Sequence, residues 1–437
     1  MDIPFTHQRL DNGLDVIVHE DRGCPIVAVN VWYHVGSKNE KPGRTGFAHL
    51  FEHLMFEGSQ HYDQGYFRPL QEAGGVLNGS TNADRTNYWE VVPSNAVDLA
   101  LWMESDRMGY LLPALTAAKF ENQRSVVLNE RRQNYENRPY GLAGMAIASA
   151  LYPPHHPYHW MTIGAAEDLK AATLDEVSAF FRTYYRPRNA SLALAGDIET
   201  ARALDLAAQY FGELDAGAEV PPADVPDARD SAFAGDRRLL LEDRVELPRV
   251  YIVWHSPALF ADGDAPLDLV AEVLAGGKTS RLYRRLVYEQ RIATEVAASQ
   301  NSREASSSFQ IVATAAPGRS LQELEAAIAE EVRRFVAEPP TELEIARCRA
   351  QAEAHFVHRL QTVGGFGGKS DQLNAYNVFL GSPGFFDRDL ARYTQATTDE
   401  LCRAATRWLG PDRVLLSVVP RSRPDLALPG SEPAAVS

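Results

Sequence analysis

The chain has 437 residues, 45% hydrophobic and 23% charged, the composition of an ordinary globular protein with room for two or more cores. Its formal net charge of −15 argues against nucleic acid and against an anionic membrane surface as main partners. Three widely separated cysteines, Cys24, Cys348 and Cys402, imply no disulfide framework, and without a CxxC pair any zinc site must use histidines and carboxylates.

The first residues, MDIPFTHQRLDNGL, lack the basic start and apolar stretch of a signal peptide, so cytoplasm and periplasm both stay open. No apolar run approaches the roughly 18 residues of a membrane span. Next, VAVNVWY reads as a strand, followed by a polar loop and then an apolar helix, HLFEHLMFEG, closed by glycine. This helix carries His49, Glu52 and His53 in the order His-x-x-Glu-His. Residues four apart on a helix lie about 40° apart around its axis, one turn up. His49 and His53 are therefore predicted to chelate one ion from a single face, with Glu52 beside them, free to act as a base. A third protein ligand must come from elsewhere.

The segment GGVLNGSTNADRTNYWEVVP predicts two strands around an Asn-Gly turn signal, Asn78-Gly79. A helical run follows over Lys119 to Glu136. In PPHHPYHW the prolines make a loop of His155, His156 and His159, read as structural rather than as a second metal site. Thr173 is an N-cap candidate before acidic first-turn residues, an amphipathic helix and a β-rich run.

Residues 215–237, rich in Pro, Ala and Asp, read as a linker between two domains, 1–214 and 238–437. The two halves look alike. RVYIVWHSPALFADGDAPLDLVAEVLAGG repeats the strand, loop and helix of the first half, and Thr397 to Pro420 repeats Thr173 to Ile198. Laid on the second half, His49 falls on Leu267, Glu52 on Val270 and His53 on Ala271. The second helix is apolar where the first is polar, which favours a metal site over satisfied core histidines. The expected fold class is α+β, two domains of similar fold with strands and helices in layers.

With its motifs GRTGFAHLFEHLMFEGS, GGVLNGSTNADRTNYWEVVP, VVLNERRQNYENRPYG and KTSRLYRRL, the chain resembles the pitrilysin (inverzincin) family of zinc peptidases. Within it, the chain is most similar to bacterial relatives of the mitochondrial processing peptidase β-subunit. The resemblance implies two α/β sandwich domains forming half of a closed chamber, with one Zn2+ in the first domain and none in the second. It implies Glu130 in VVLNERR as the third ligand, with Gln123 standing where many members carry a second glutamate. It implies Glu52 as general base and Asn82, Ala83 and Thr86 near an extended substrate. The family also holds the substrate carbonyl with an Arg and a Tyr seven residues apart, positions occupied here by Leu286 and Ala293. A homologous zinc-free partner supplying that pair is therefore expected, with Gly-rich residues 362–372 as a candidate loop at the chamber mouth. The implied activity is an endopeptidase acting on unfolded or short polypeptides as the catalytic subunit of a heterodimer. The alternatives are a non-catalytic assembly subunit or a self-sufficient homodimer.

Overall fold

Six strands of the first half pair into one sheet in the computed structural model, which describes residues 3–226 and 235–436. The strands are β1 (Thr6–Arg9), β2 (Asp15–Glu20), β3 (Ile26–Tyr33), β4 (Val76–Thr81), β5 (Thr86–Pro93) and β6 (Ala190–Gly196), in the order β1-β2-β6-β3-β5-β4. β3 and β6 are buried along nearly their whole length, which explains why their sequences run apolar without alternating. β1 and β4 are the outer strands.

The helices of this part of the chain are α1 (Phe47–Leu54), α2 (Phe67–Glu72), α3 (Val97–Ala114), α4 (Ala117–Arg131), α5 (Ala143–Leu151), α6 (Ala166–Ala171), α7 (Leu174–Tyr184) and α8 (Thr200–Phe211). A π-helical turn, Arg132–Glu136, prolongs α4. The second sheet holds β7 (Asp236–Asp243), β8 (Arg249–Ser256), β9 (Ala293–Asn301), β10 (Ser307–Ala315), β11 (Arg413–Pro420) and β12 (Glu432–Pro433), in the order β12-β7-β11-β8-β10-β9. The helices of the second half of the chain are α9 (Asp264–Ala275), α10 (Leu321–Ala337), α11 (Glu342–Arg359), α12 (Lys369–Leu380), α13 (Phe386–Thr394) and α14 (Thr398–Trp408).

The internal repeat is written in the pairing. β2 runs parallel to β6, and β6-β3-β5-β4 are successively antiparallel. β7 likewise runs parallel to β11, and β11-β8-β10-β9 are successively antiparallel. Both N-cap threonines read from the sequence close capping boxes, Thr173 with Glu176 before α7 and Thr397 with Glu400 before α14.

By packing, the chain groups into two units, Met1–Asn129 with Met161–Ala223 and His355–Arg388, and Glu130–Trp160 with Asp224–Ala354 and Asp389–Ser437. Residues 130–160 thus pack with the second sheet and 355–388 with the first, a pair of exchanges that a division at 215–237 does not capture. Of that expected linker, residues 227–234 lie outside the described residues, and Asp236 and Arg237 already belong to β7. In the first unit, α12 lies on β3 and β6, while α3 packs on β3 and β5. In the second, the core gathers Ile252, Trp254, Leu267, Leu274, Phe309 and Leu324.

Two sequence expectations need correction. The Asn78-Gly79 pair lies inside β4, and the reversal falls at Asn82–Arg85, where Asn82 Oδ1 accepts from the amides of Asp84 (2.7 Å) and Arg85 (2.9 Å). Gly79 serves packing instead: a Cβ there would stand 3.0 Å from Tyr88 Cδ1 and 3.1 Å from Phe56 Cζ. The repeat register also shifts by one. α1 starts at Gly46 (φ +88°) and α9 at Gly263 (φ +92°), both left-handed, so the offset is 263 − 46 = 217. His49 then faces Pro266, Glu52 faces Leu269 and His53 faces Val270, and the contrast of polar against apolar survives.

Candidate metal centre

α1 is amphipathic in a way that separates structure from chemistry. Phe47, Ala48, Leu50, Phe51 and Leu54 are buried, while His49, Glu52 and His53 share the half-buried side. Behind the helix, Phe51 packs on Phe181 (5.4 Å between ring centroids) and Tyr185 (5.3 Å), and Tyr88 Oη donates to Phe51 O at 3.4 Å. Beneath Tyr88 lies a fully buried guanidinium, Arg107, whose Cζ stands 3.9 Å from the Tyr66 ring and 4.1 Å from that of Tyr88. Arg107 Nε donates to Glu104 at 2.8 Å and Nη2 to Glu90 at 3.3 Å.

The His49 and His53 rings meet edge to face, 4.9 Å between centroids. Burial, and secondarily the neighbouring His53, push the His49 imidazole down to about 4, so it is neutral at physiological pH, as a metal-ligating histidine must be. Glu130 comes from the last turn of α4. His49, His53 and Glu130 each offer a donor atom, and the three atoms lie within 4.8 Å of one another. Among the described residues this is the one group of three such side chains so placed. Two imidazoles and a carboxyl group are a donor set suited to zinc with one position left open. Asn134 Nδ2 donates to Glu130 Oε1 at 3.3 Å, and the Gln123 amide donates to Glu57, just beyond α1.

The other sequence candidates fall as follows. Asn82 and Ala83 sit on the β4–β5 turn, and their carbonyls accept from the amides of Ser37 (3.2 Å) and Lys38 (2.9 Å). Thr86 is fully buried and donates to Val35 O at 2.9 Å, leaving its side chain no surface for a substrate. Leu286 and Ala293 are core residues of the second unit. In the His-rich loop, His156 Nδ1 accepts from the Tyr158 amide at 3.0 Å and His159 Nδ1 meets Tyr152 O at 2.7 Å, so these rings shape the loop. Of residues 362–372, Gly364 presses on the first sheet, where a Cβ would fall 2.6 Å from Ala28 Cβ, and Phe366 meets Trp89 edge to face. The three cysteines are free, and among the described residues no helix is long and apolar enough to cross a membrane.

Sequence reasoning missed Glu40. Its Oε2 accepts from the Gly46 amide and its Oε1 from the Ala48 amide, each at 2.9 Å. It lies six residues before Gly46, outside the window in which a capping pattern can be recognised.

Two histidines and a glutamate with converging donor atoms, in a chain with two sheets of repeated topology, are the arrangement to compare with known proteins. Residues 15–156 match the model described as Insulinase (Peptidase family M16), and residues 171–352 match the Peptidase M16 inactive domain. The chain belongs to peptidase family M16. It is 29% identical over 356 residues to the zinc protease PqqE of Helicobacter pylori, covering 81% of this chain and 79% of that protein. It is 24% identical over 276 residues to the probable mitochondrial-processing peptidase subunit beta of Arabidopsis thaliana, covering 61% of this chain and 49% of that one. The solved structure of a protease from Helicobacter pylori superposes with a TM-score of 0.87 at 25% identity, over 96% of this chain and all of that one.

Proposed function

We propose that the chain is a zinc-dependent endopeptidase acting on unfolded or short polypeptides, the catalytic subunit of a heterodimer with a homologous zinc-free chain. The observation that carries this reading is the convergence of His49, His53 and Glu130 donor atoms within 4.8 Å, with Glu52 on the same half-buried side of α1. His49, His53 and Glu130, all within residues 1–214, would hold the ion, and residues 238–437 would be metal-free. Zinc, when bound, supplies Lewis acidity for the scissile carbonyl and lowers the pKa of water. Glu52 takes a proton from the attacking water and passes it to the leaving amine.

The outer strand β4 leaves one edge for an extended peptide, which backbone pairing would hold with little demand on sequence. Asn82 and Ala83 lie at its end. The buried side chains of Leu286 and Ala293 support a partner as the source of the substrate-holding Arg and Tyr, as does the likeness to a relative named as a subunit.

The test is hydrolysis of a quenched, unstructured peptide, with zinc content measured. The wild type is expected to hold about one zinc and to lose turnover to a chelator. Glu52→Gln should keep the zinc and lose roughly 100-fold or more in turnover, the usual worth of a positioned base. Undiminished turnover by zinc-loaded Glu52→Gln would sink the mechanism. Brisk cleavage by the chain alone would remove the partner.

A further inference from the structure

Helix α1 begins without a cap of its own. Its N-cap is Gly46, left-handed and with no side chain to accept from the first-turn amides. A capping serine or aspartate has no room there: a Cβ would lie 2.9 Å from Leu169 Cδ2 and 3.0 Å from Ile163 O. The missing acceptor arrives from outside the helix. Glu40, 7% exposed, takes the Gly46 amide on one carboxylate oxygen and the Ala48 amide on the other. Two charge-assisted bonds at the positive end of a helix are favourable in both geometry and charge.

Glu40 is itself anchored. Its amide donates to Ser37 O at 3.2 Å, and the Ser37 and Lys38 amides are the ones that meet the carbonyls of Asn82 and Ala83. A second clamp grips the residue before the cap. Asp168 Oδ2 accepts from Thr45 Oγ1 (2.7 Å) and the Thr45 amide (3.1 Å), and Thr45 Oγ1 accepts from the Ala165 amide (2.8 Å). His49 is the third residue of the helix, next to the Ala48 whose amide Glu40 holds. The repeated helix offers an internal comparison. α9 also starts on a left-handed glycine, but its acid is Asp264 on the helix itself, which accepts from the Phe260 amide, Ser302 and Arg392.

We infer that Glu40 is a positioning residue for the metal centre: it fixes the first turn of α1 from outside and so aims His49, and one turn later His53, at a common point. This rests on the zinc-peptidase reading above.

The test is zinc affinity, read by competition with a chromogenic chelator. Glu40→Ala is expected to weaken it about 10- to 100-fold, the usual effect of losing a residue that orients a ligand. Glu40→Gln keeps one acceptor oxygen and should fall between. Hydrogen exchange at the Gly46 and Ala48 amides of the metal-free protein should quicken in both variants. Asn12→Ala serves as control: Asn12 donates to Phe211 O and Leu214 O in the same unit, and its loss should lower stability while leaving zinc affinity unchanged. If Glu40→Ala fails to fold, Glu40→Gln decides. Affinity within twofold of wild type in the folded variants overturns the inference, and so does an equal loss in Asn12→Ala. A wild type that binds no stoichiometric zinc, or whose binding survives His53→Ala, overturns the zinc reading itself and the inference with it.

Discussion

Asp371 is the joint by which a distant stretch of chain is tied to the first sheet. It sits in the first turn of α12, 7% exposed. Its Oδ1 accepts from Trp32 Nε1 (2.8 Å), Asn87 Nδ2 (3.0 Å) and, at longer range, Asn30 Nδ2 (3.4 Å), and its Oδ2 accepts from the Gly367 amide (2.7 Å). Replacing it by leucine keeps volume and excludes water, so the donors of Trp32 and Asn87 are stranded in the interior. Each stranded donor costs about 1–3 kcal/mol, and the half-exposed Gly367 amide adds about 1, giving an expected loss of about 3–7 kcal/mol. That is a large share of the roughly 5–15 kcal/mol available to a domain. Asp371→Asn retains an acceptor for Trp32 and should lose about 1–2 kcal/mol. Urea unfolding followed by circular dichroism, with amide exchange along β3 to locate the change, measures both. A loss below about 1 kcal/mol for Asp371→Leu would refute the reasoning, because it would mean that water or a rearranged loop serves these donors.

Two further outcomes are expected. Arg107→Met leaves the buried Glu104 without its cation, beside Glu90, whose carboxyl is pushed well above its ordinary value foremost by burial, and should cost about 3–5 kcal/mol. Arg107→Met/Glu104→Leu should recover much of it in a double-mutant cycle, and equal instability of single and double variants would contradict this account. The carboxyl of Asp268 is pushed up to about 7, foremost by burial, while the Tyr393 hydroxyl donates to it at 2.8 Å. A folded-state value above the ordinary 3.8 means that the native protein holds the extra proton between about pH 4 and 7. This group's contribution to stability therefore declines as pH rises through that window and stays at its minimum above it. Asp268→Asn should flatten that part of the profile and gain on wild type at pH 8. Parallel urea midpoints from pH 5 to 8 would show that Asp268 does not titrate there.

What was legible in the sequence is what physics encodes locally. The capping boxes of α7 and α14 place acceptor and acid three residues apart, and His49 and His53 share a face because they are four apart. Glu130, 130 − 53 = 77 residues past His53, was readable only through family resemblance, since nothing in its own helix distinguishes it from solvated acids. Asn78-Gly79 misled because glycine has two uses, a turn and a close approach, and Phe56, which settles the matter, is far away in sequence. Glu40 left no trace because its partners are backbone amides, which every sequence has. The exchange of residues 130–160 and 355–388 between the packed units was illegible for a similar reason: it is decided by long-range packing such as Asn374 Nδ2 donating to Asn30 O (2.8 Å).

The division of α1 into a buried side that builds the fold and a half-buried side that carries the candidate ligands has an evolutionary consequence. Substitutions at His49, Glu52 or His53 leave Phe47, Leu50, Phe51 and Leu54 untouched, so the chemistry can decay without the chain losing its ability to fold. α9 already shows the fold standing without such polar residues, with Pro266, Leu269 and Val270 at the matching positions. A lineage built on this architecture will therefore accumulate folded, zinc-free members at little thermodynamic penalty, free to be kept for the surfaces they present.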